Sequence, residues 1–239
     1  FSGHHIFTAI LDALDVRGLF RADQIVLSGH SAGGMAVWLH LDRLAERYKA
    51  AKVVGAPIAG FYFFAYPYDG PGHTEGLGGL ADFREQAFSS YWALWDPAVD
   101  ETCRAALNMA PWKCMVANES HPFVKTPVFI TQAQTDQVVL VYHDSFPPSP
   151  ANWSAPALLY MREWHNNMTQ ALQGATSCLP ECNIGLFNPA CFIHVNFSAA
   201  YPLIKGLSFL DVLGNWMHPA RKGPSRLQDD CGELCNPTC

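Results

Sequence analysis

The sequence predicts an α/β fold, a mostly parallel sheet with helices on both faces. Two short apolar runs, QIVLS at 24–28 and PVFITQAQ at 127–134, have the composition of buried parallel strands. Stretches with apolar residues at helical spacing alternate with such runs. A glycine-flanked serine turn joins the first strand directly to a helix, the strand-to-helix grammar of a parallel sheet.

Taken in order, residues 4–16 (HHIFTAILDALDV) place Ile6, Ile10, Leu11 and Leu14 at helical spacing, and Gly18 closes that amphipathic helix. The strand at 24–28 leads into Gly29-His30-Ser31-Ala32-Gly33-Gly34. Trp38, Leu41, Ala45 and Tyr48 then continue at helical spacing, and the stretch 51–55 reads as the next strand. Residues 56–80 are rich in Gly, Pro and aromatics without a period and read as a loop. Its stretch Phe61–Tyr68 suits the wall of an apolar pocket or the core. Residues 82–117 mix helix with loop, 145–156 carry four Pro and read as a surface excursion, and 157–173 are helical. No repeat and no linker interrupts the pattern. Residues 1–239 are therefore expected to form a single domain with a Cys-rich tail at 229–239.

Composition narrows the function. Hydrophobic residues make up 49% of the 239 and charged residues 15%, enough for a sizeable core and too apolar for a disordered chain. The net charge is −6 and Lys and Arg never form a run, which argues against a nucleic-acid partner. No apolar run is long enough to span a membrane. Eight Cys, at 103, 114, 178, 182, 191, 231, 235 and 239, point to disulfides in an oxidising compartment. Zinc is disfavoured, since C-x2-C pairs are lacking and the C-terminal triplet has no nearby His. Sequons at Asn118, Asn152, Asn167 and Asn196 support a secreted, glycosylated protein; Asn236 precedes Pro and is excluded. The chain opens Phe1-Ser2-Gly3 without Met or a basic leader, so a processed N-terminus or further residues upstream are expected.

Gly29-His30-Ser31-Ala32-Gly33 matches G-x-S-x-G. A nucleophilic serine needs a tight strand-to-helix turn to project its oxygen, with small residues two before and two after. Ala32 N–H, at the helix start, is then placed to stabilise an oxyanion. The serine also needs a base, and the base an orienting acid, in the chain order Ser, acid, His. Asp136 stands at the end of the second strand. After it come His143, His165, His194 and His218. His143 is very close to Asp136 in sequence and His165 falls inside a helix, so position favours His194.

These residues carry a resemblance. LSGHSAGGMAVWLHLDRL, KTPVFITQAQTDQVVL, NPACFIHVNF and DDCGELCNPTC, in that order, resemble the pectin acetylesterase/Notum family of α/β-hydrolase carboxylesterases. The resemblance implies an α/β-hydrolase fold, with Ser31 as nucleophile, Asp136 as acid and His194 as base. It departs in three places. The family's Gly-Gly-Gly-Trp-Cys segment, which completes the oxyanion hole, is not in this chain, so either a missing N-terminal segment or another chain supplies it or the hole is incomplete. Where the family often has Asp-(Ser/Ala)-Gly, this chain has Ile58-Ala59-Gly60. Val195 stands where plant-type members have Cys, and the sequon at Asn196 is expected to be unoccupied or to point away from His194.

The implied reaction is ester hydrolysis through an acyl-enzyme, with no metal or organic cofactor. The resemblance implies an acylated carbohydrate or an acylated protein as substrate; the Cys-rich end, like that of plant-type members, favours an acetylated carbohydrate. Trp153 and Trp164 suit sugar stacking, although scattered tryptophans are more often packing residues. A catalytically silent extracellular binding or structural protein on the same scaffold is the reading from another class.

Overall fold

The computed structural model describes residues 2–74, 82–177 and 183–239. Five strands form one sheet, each parallel to its neighbours: β1 (Gln24–His30), β2 (Lys52–Ile58), β3 (Val128–Thr131), β5 (Ile184–Asn188) and β7 (Arg226–Gln228), in the order β1-β2-β3-β5-β7. Two further strands, β4 (Thr135–Asp136) and β6 (Phe192–Ile193), pair in parallel as a separate ribbon. The helices are α1 (Gly3–Val16), α2 (Ala32–Arg47), α3 (Glu85–Trp95), α4 (Glu101–Ala106), α5 (Ala117–Ser120), α6 (Ala155–Thr176) and α7 (Phe209–Met217).

Strand alternation divides the core between the two faces. Val53, Val128, Ile130 and Leu186 join the large cluster that includes Trp38, Leu41 and Leu44 of α2 and Met161, Trp164 and Met168 of α6. Their neighbours Val54, Phe129 and Phe187 point the other way, onto Phe209, Val212 and Trp216 of α7. Helices therefore cover both faces, as the sequence predicts.

Three expectations change. β1 is the sheet's edge strand and only Ile25 is buried, so it is not the two-sided buried strand its composition suggests. In α1 only Leu11 is buried, while Ile6, Ile10 and Leu14 are exposed. Polar contacts hold that helix instead. Arg47 of α2 reaches Asp12 and Asp15, and the Tyr48 hydroxyl donates to Asp15 at 2.8 Å. The proline-rich stretch after residue 145 is also less superficial than expected, since Phe146 is fully buried among Tyr68, Trp153 and Phe192.

Asp42, midway along α2, accepts from the backbone N–H groups of Lys125 and Thr126, both at 2.9 Å, and so sets the approach to β3. Disulfides join Cys103 to Cys114, Cys191 to Cys239 and Cys231 to Cys235. Cys178 and Cys182 lie outside the described residues. No helix among the described residues is long and apolar enough to cross a membrane.

Candidate active site

Ser31 reverses the chain between β1 and α2. Its backbone stands at φ 57°, ψ −125°, a left-handed conformation that residues with a Cβ rarely adopt. Two hydrogen bonds hold it there: its N–H donates to Ile58 O at 2.9 Å, and its carbonyl accepts from Met35 N–H at 3.0 Å. A Cβ on Gly29 would lie 2.5 Å from the Gly33 carbonyl oxygen, so that glycine is required. A Cβ on Gly33 would meet nothing within 4 Å, whereas one on Gly34 would come within 2.9 Å of Gly60 Cα. The crowding expected two residues after Ser31 thus falls one residue later, where α2 crosses the chain leaving β2. Ala32 N–H, in the first turn of α2, has no intrahelical acceptor and sits at the positive end of the helix dipole.

The short ribbon supplies the other two groups. Its register sets Asp136 opposite Ile193, so the next residue, His194, emerges beside the carboxylate. His194 Nδ1 is 2.8 Å from both Oδ1 and Oδ2 of Asp136. A carboxylate only accepts, so the neutral imidazole carries its proton on Nδ1 and presents a lone pair at Nε2. That Nε2 is buried and has no hydrogen-bond partner among the described residues. Asp136 is fully buried, and among the described residues no Lys or Arg reaches its oxygens. Its Oδ1 accepts from the N–H groups of Val138 (3.0 Å) and Val139 (3.1 Å), and Oδ2 from Gln132 Nε2 (3.0 Å).

Tyr62 is a neighbour of the serine and feels the charge of Asp136. Its hydroxyl donates to Ala59 O at 2.7 Å, beside the Ser31 hydroxyl. Burial first, then the Asp136 charge, holds the phenol well above its ordinary range, while the Ser31 contact pulls the other way. Ala59 itself has φ 48°, and a Cβ on Gly60 would lie 2.4 Å from the Gly34 carbonyl carbon. The Ala59-Gly60 pair is therefore fixed by the passage of α2. Ile58 serves this turn with its backbone carbonyl and packs against the α7 side of the core.

The aromatic stretch after Gly60 is mostly core. Phe61, Tyr62, Phe63 and Tyr68 are buried, and Phe63 packs on Trp164 with ring centres 4.9 Å apart. Trp164 donates through Nε1 to Asp144 Oδ2 at 2.8 Å, and Trp153 donates to Pro147 O at 2.9 Å. Both tryptophans are packing residues. Asp144 is fully buried, and burial pushes its carboxyl up to about 8.

The other candidate histidines have different surroundings. His143 packs edge-on against Phe83, His165 is buried in α6, and His218 ends α7 at the surface. Of the sequon asparagines, Asn152, Asn167 and Asn196 are exposed, while Asn118 is half-buried and donates to Glu119. Sequence reasoning did not single out Gln132, Tyr62 or Asp144. One signal for Gln132 was available: it lies four residues before Asp136 in an extended run, hence on the same face, and a polar amide in an apolar strand must find partners.

A family model described as Pectinacetylesterase matches residues 1–239. The human palmitoleoyl-protein carboxylesterase NOTUM is 26% identical over 260 residues, covering 100% of this chain and 50% of its own length. Pectin acetylesterase 5 of Arabidopsis thaliana is 26% identical over 258 residues, covering 100% of this chain and 57% of its own. The solved structure of the Wnt deacylase Notum from Drosophila matches with a TM-score of 0.81 at 27% identity, covering 100% of this chain and 65% of that one. The chain thus spans from about half to just under two thirds of the length of these relatives. The fold is of the α/β-hydrolase type, and with the family model matched from the first residue to the last, the chain belongs to the pectinacetylesterase family.

Proposed function

We propose that the protein is a secreted serine carboxylesterase in which Ser31, His194 and Asp136 form the catalytic triad. The observation that carries this is the state of His194: its Nδ1 is held by Asp136, and its buried Nε2 has no hydrogen-bond partner among the described residues. His194 takes the Ser31 proton as the serine oxygen attacks the ester carbonyl. Asp136 keeps the imidazole in that tautomer and stabilises the imidazolium. Ala32 N–H donates to the oxyanion. His194 returns the proton to the leaving alcohol, and water, activated at the same nitrogen, releases the acid.

The substrate we favour is an O-acetyl ester of a carbohydrate, supported by the pectin acetylesterase relatives and by the Cys-rich tail that Cys239 ties back to Cys191. The second reading is removal of a fatty acyl group from a protein, supported by the likeness to NOTUM and to the Wnt deacylase structure. The three disulfides and the sequons support a secreted location.

Hydrolysis of p-nitrophenyl acetate and octanoate by the full-length protein separates these readings. Ser31→Ala is expected to remove a rate enhancement on the order of 10⁶. Preference for acetate supports the carbohydrate esterase and preference for octanoate the deacylase. A folded wild type as inert as Ser31→Ala on both overturns the enzyme reading in favour of a silent scaffold.

A further inference from the structure

Gln132 is fully buried, and every polar group it carries has a defined use. Its backbone N–H donates to Phe187 O at 3.1 Å, and its carbonyl accepts from Asn188 Nδ2, so the residue is fastened to β5 on both sides. Its side-chain oxygen accepts from Phe61 N–H at 3.1 Å, and its side-chain nitrogen donates to Asp136 Oδ2 at 3.0 Å. Backbone N–H groups only donate and a carboxylate only accepts, so the amide has one workable orientation. The two backbone donors on Oδ1 come from the turn following Asp136 itself. Gln132 is the side-chain amide that holds Oδ2, and it does so from the link between β3 and β4, four residues before Asp136.

We propose that Gln132 is a positioning residue for the triad: it fixes the rotation of the Asp136 carboxylate that orients His194, and it couples that carboxylate to the backbone at Phe61, next to Tyr62 and Ser31. The inference rests on the triad reading above. Loss of the amide frees the carboxylate to turn. It also removes a donor from the charge that attracts the imidazolium, so protonated His194 is held more tightly and the free base is available only at higher pH. Because Gln132 is buried, substrate binding is little affected.

The test compares wild type, Gln132→Met and Gln132→Glu on p-nitrophenyl acetate, with Ser31→Ala as reference. Gln132→Met is close in volume and removes both polar contacts. Gln132→Glu keeps an acceptor for Phe61 N–H and sets a second carboxylate against Asp136, so it covers the case in which Gln132→Met fails to fold. The expected result is kcat lower by about 10- to 100-fold, the weight of one hydrogen bond to a charged group, with KM within about twofold. The acid limb of kcat/KM moves to higher pH, further in Gln132→Glu than in Gln132→Met. Folded variants with an unmoved acid limb overturn the inference, whether kcat is unchanged or falls only with the folded fraction. If Ser31→Ala keeps the wild-type rate, the triad reading falls and the inference with it. If Ser31→Ala is inert while the Gln132 variants keep wild-type kcat and acid limb, the inference alone falls.

Discussion

The Nδ1 atom of His194 lies 2.8 Å from each carboxylate oxygen of Asp136. The contact closes a 58-residue separation and is set by two strands of two residues each, whose register places Asp136 opposite Ile193. Ser31 stands at the carboxyl end of the edge strand β1, on a strained turn whose N–H is anchored on Ile58, and ligands of parallel sheets bind at that end of the strands.

Asp136→Asn tests the pair most directly. Asparagine keeps the shape and the acceptor but loses the charge, and its NH₂ can face Nδ1, which favours the tautomer with the proton on Nε2. That imidazole cannot accept from Ser31. The expected loss in kcat at neutral pH is on the order of 10⁴ with the fold intact, as in serine hydrolases generally. A loss under tenfold in a folded variant would remove Asp136 from the triad.

Gly60→Ala tests the close passage of α2. The new Cβ would lie 2.4 Å from the Gly34 carbonyl carbon and 2.5 Å from its Cα, backbone against backbone, where no side chain can swing away. Relief requires moving the start of α2, and with it Ser31 and Ala32. Overpacking of this kind destabilises by about 1–3 kcal/mol. Urea unfolding should show a lower midpoint with an unchanged slope, and esterase activity should fall more than stability alone explains. A midpoint equal to wild type would show that the turn has room.

Cys239→Ser opens the bridge to Cys191, which lies three residues before His194. The bridge closes a loop of 48 residues, for which chain-entropy arguments give about 3–4 kcal/mol. Reduced thermal stability is expected together with a loss of activity, since the segment carrying His194, the proposed base, is released from the tail. Thermal melts with and without reductant check the first effect. A wild-type melt that reductant leaves unchanged would contradict it.

How much of this the sequence shows depends on the range of the forces. The serine turn is legible because its requirement is local: a Cβ on Gly29 collides with Gly33, four residues away. Asp136 is legible as the polar end of an apolar strand. His194 needs the chain-order rule, because a two-residue strand has no periodicity to read. β5 has Gly185 at its second position, and a Cβ there would sit 2.3 Å from the Phe129 ring, a constraint visible only once the sheet is assembled. Phe61–Tyr68 stays ambiguous in sequence since aromatics suit a pocket and a core equally, and packing on Trp38, Phe83 and Trp164 decides for the core. Gln132 and Asp144 break the apolar pattern at buried positions, and only their partners in space explain them.

Asp144→Asn should change how stability depends on pH. The folded protein holds this carboxyl with a pKa of about 8 because burial disfavours its charge, against an ordinary value of 3.8. Between those values the folded state keeps a proton that the unfolded chain has released. The folded state therefore binds more protons, and stability falls as pH rises from about 4 to about 8 and changes no further above that. The slope for one proton is at most about 1.4 kcal/mol per pH unit. Asparagine retains an acceptor for Trp164 Nε1 and removes the titration. The variant and wild type are expected to melt at similar temperatures near pH 4, with the variant increasingly more stable toward pH 8. Tm measured across that range in both proteins decides the matter: curves that stay parallel would mean that Asp144 does not carry a raised pKa in the folded protein.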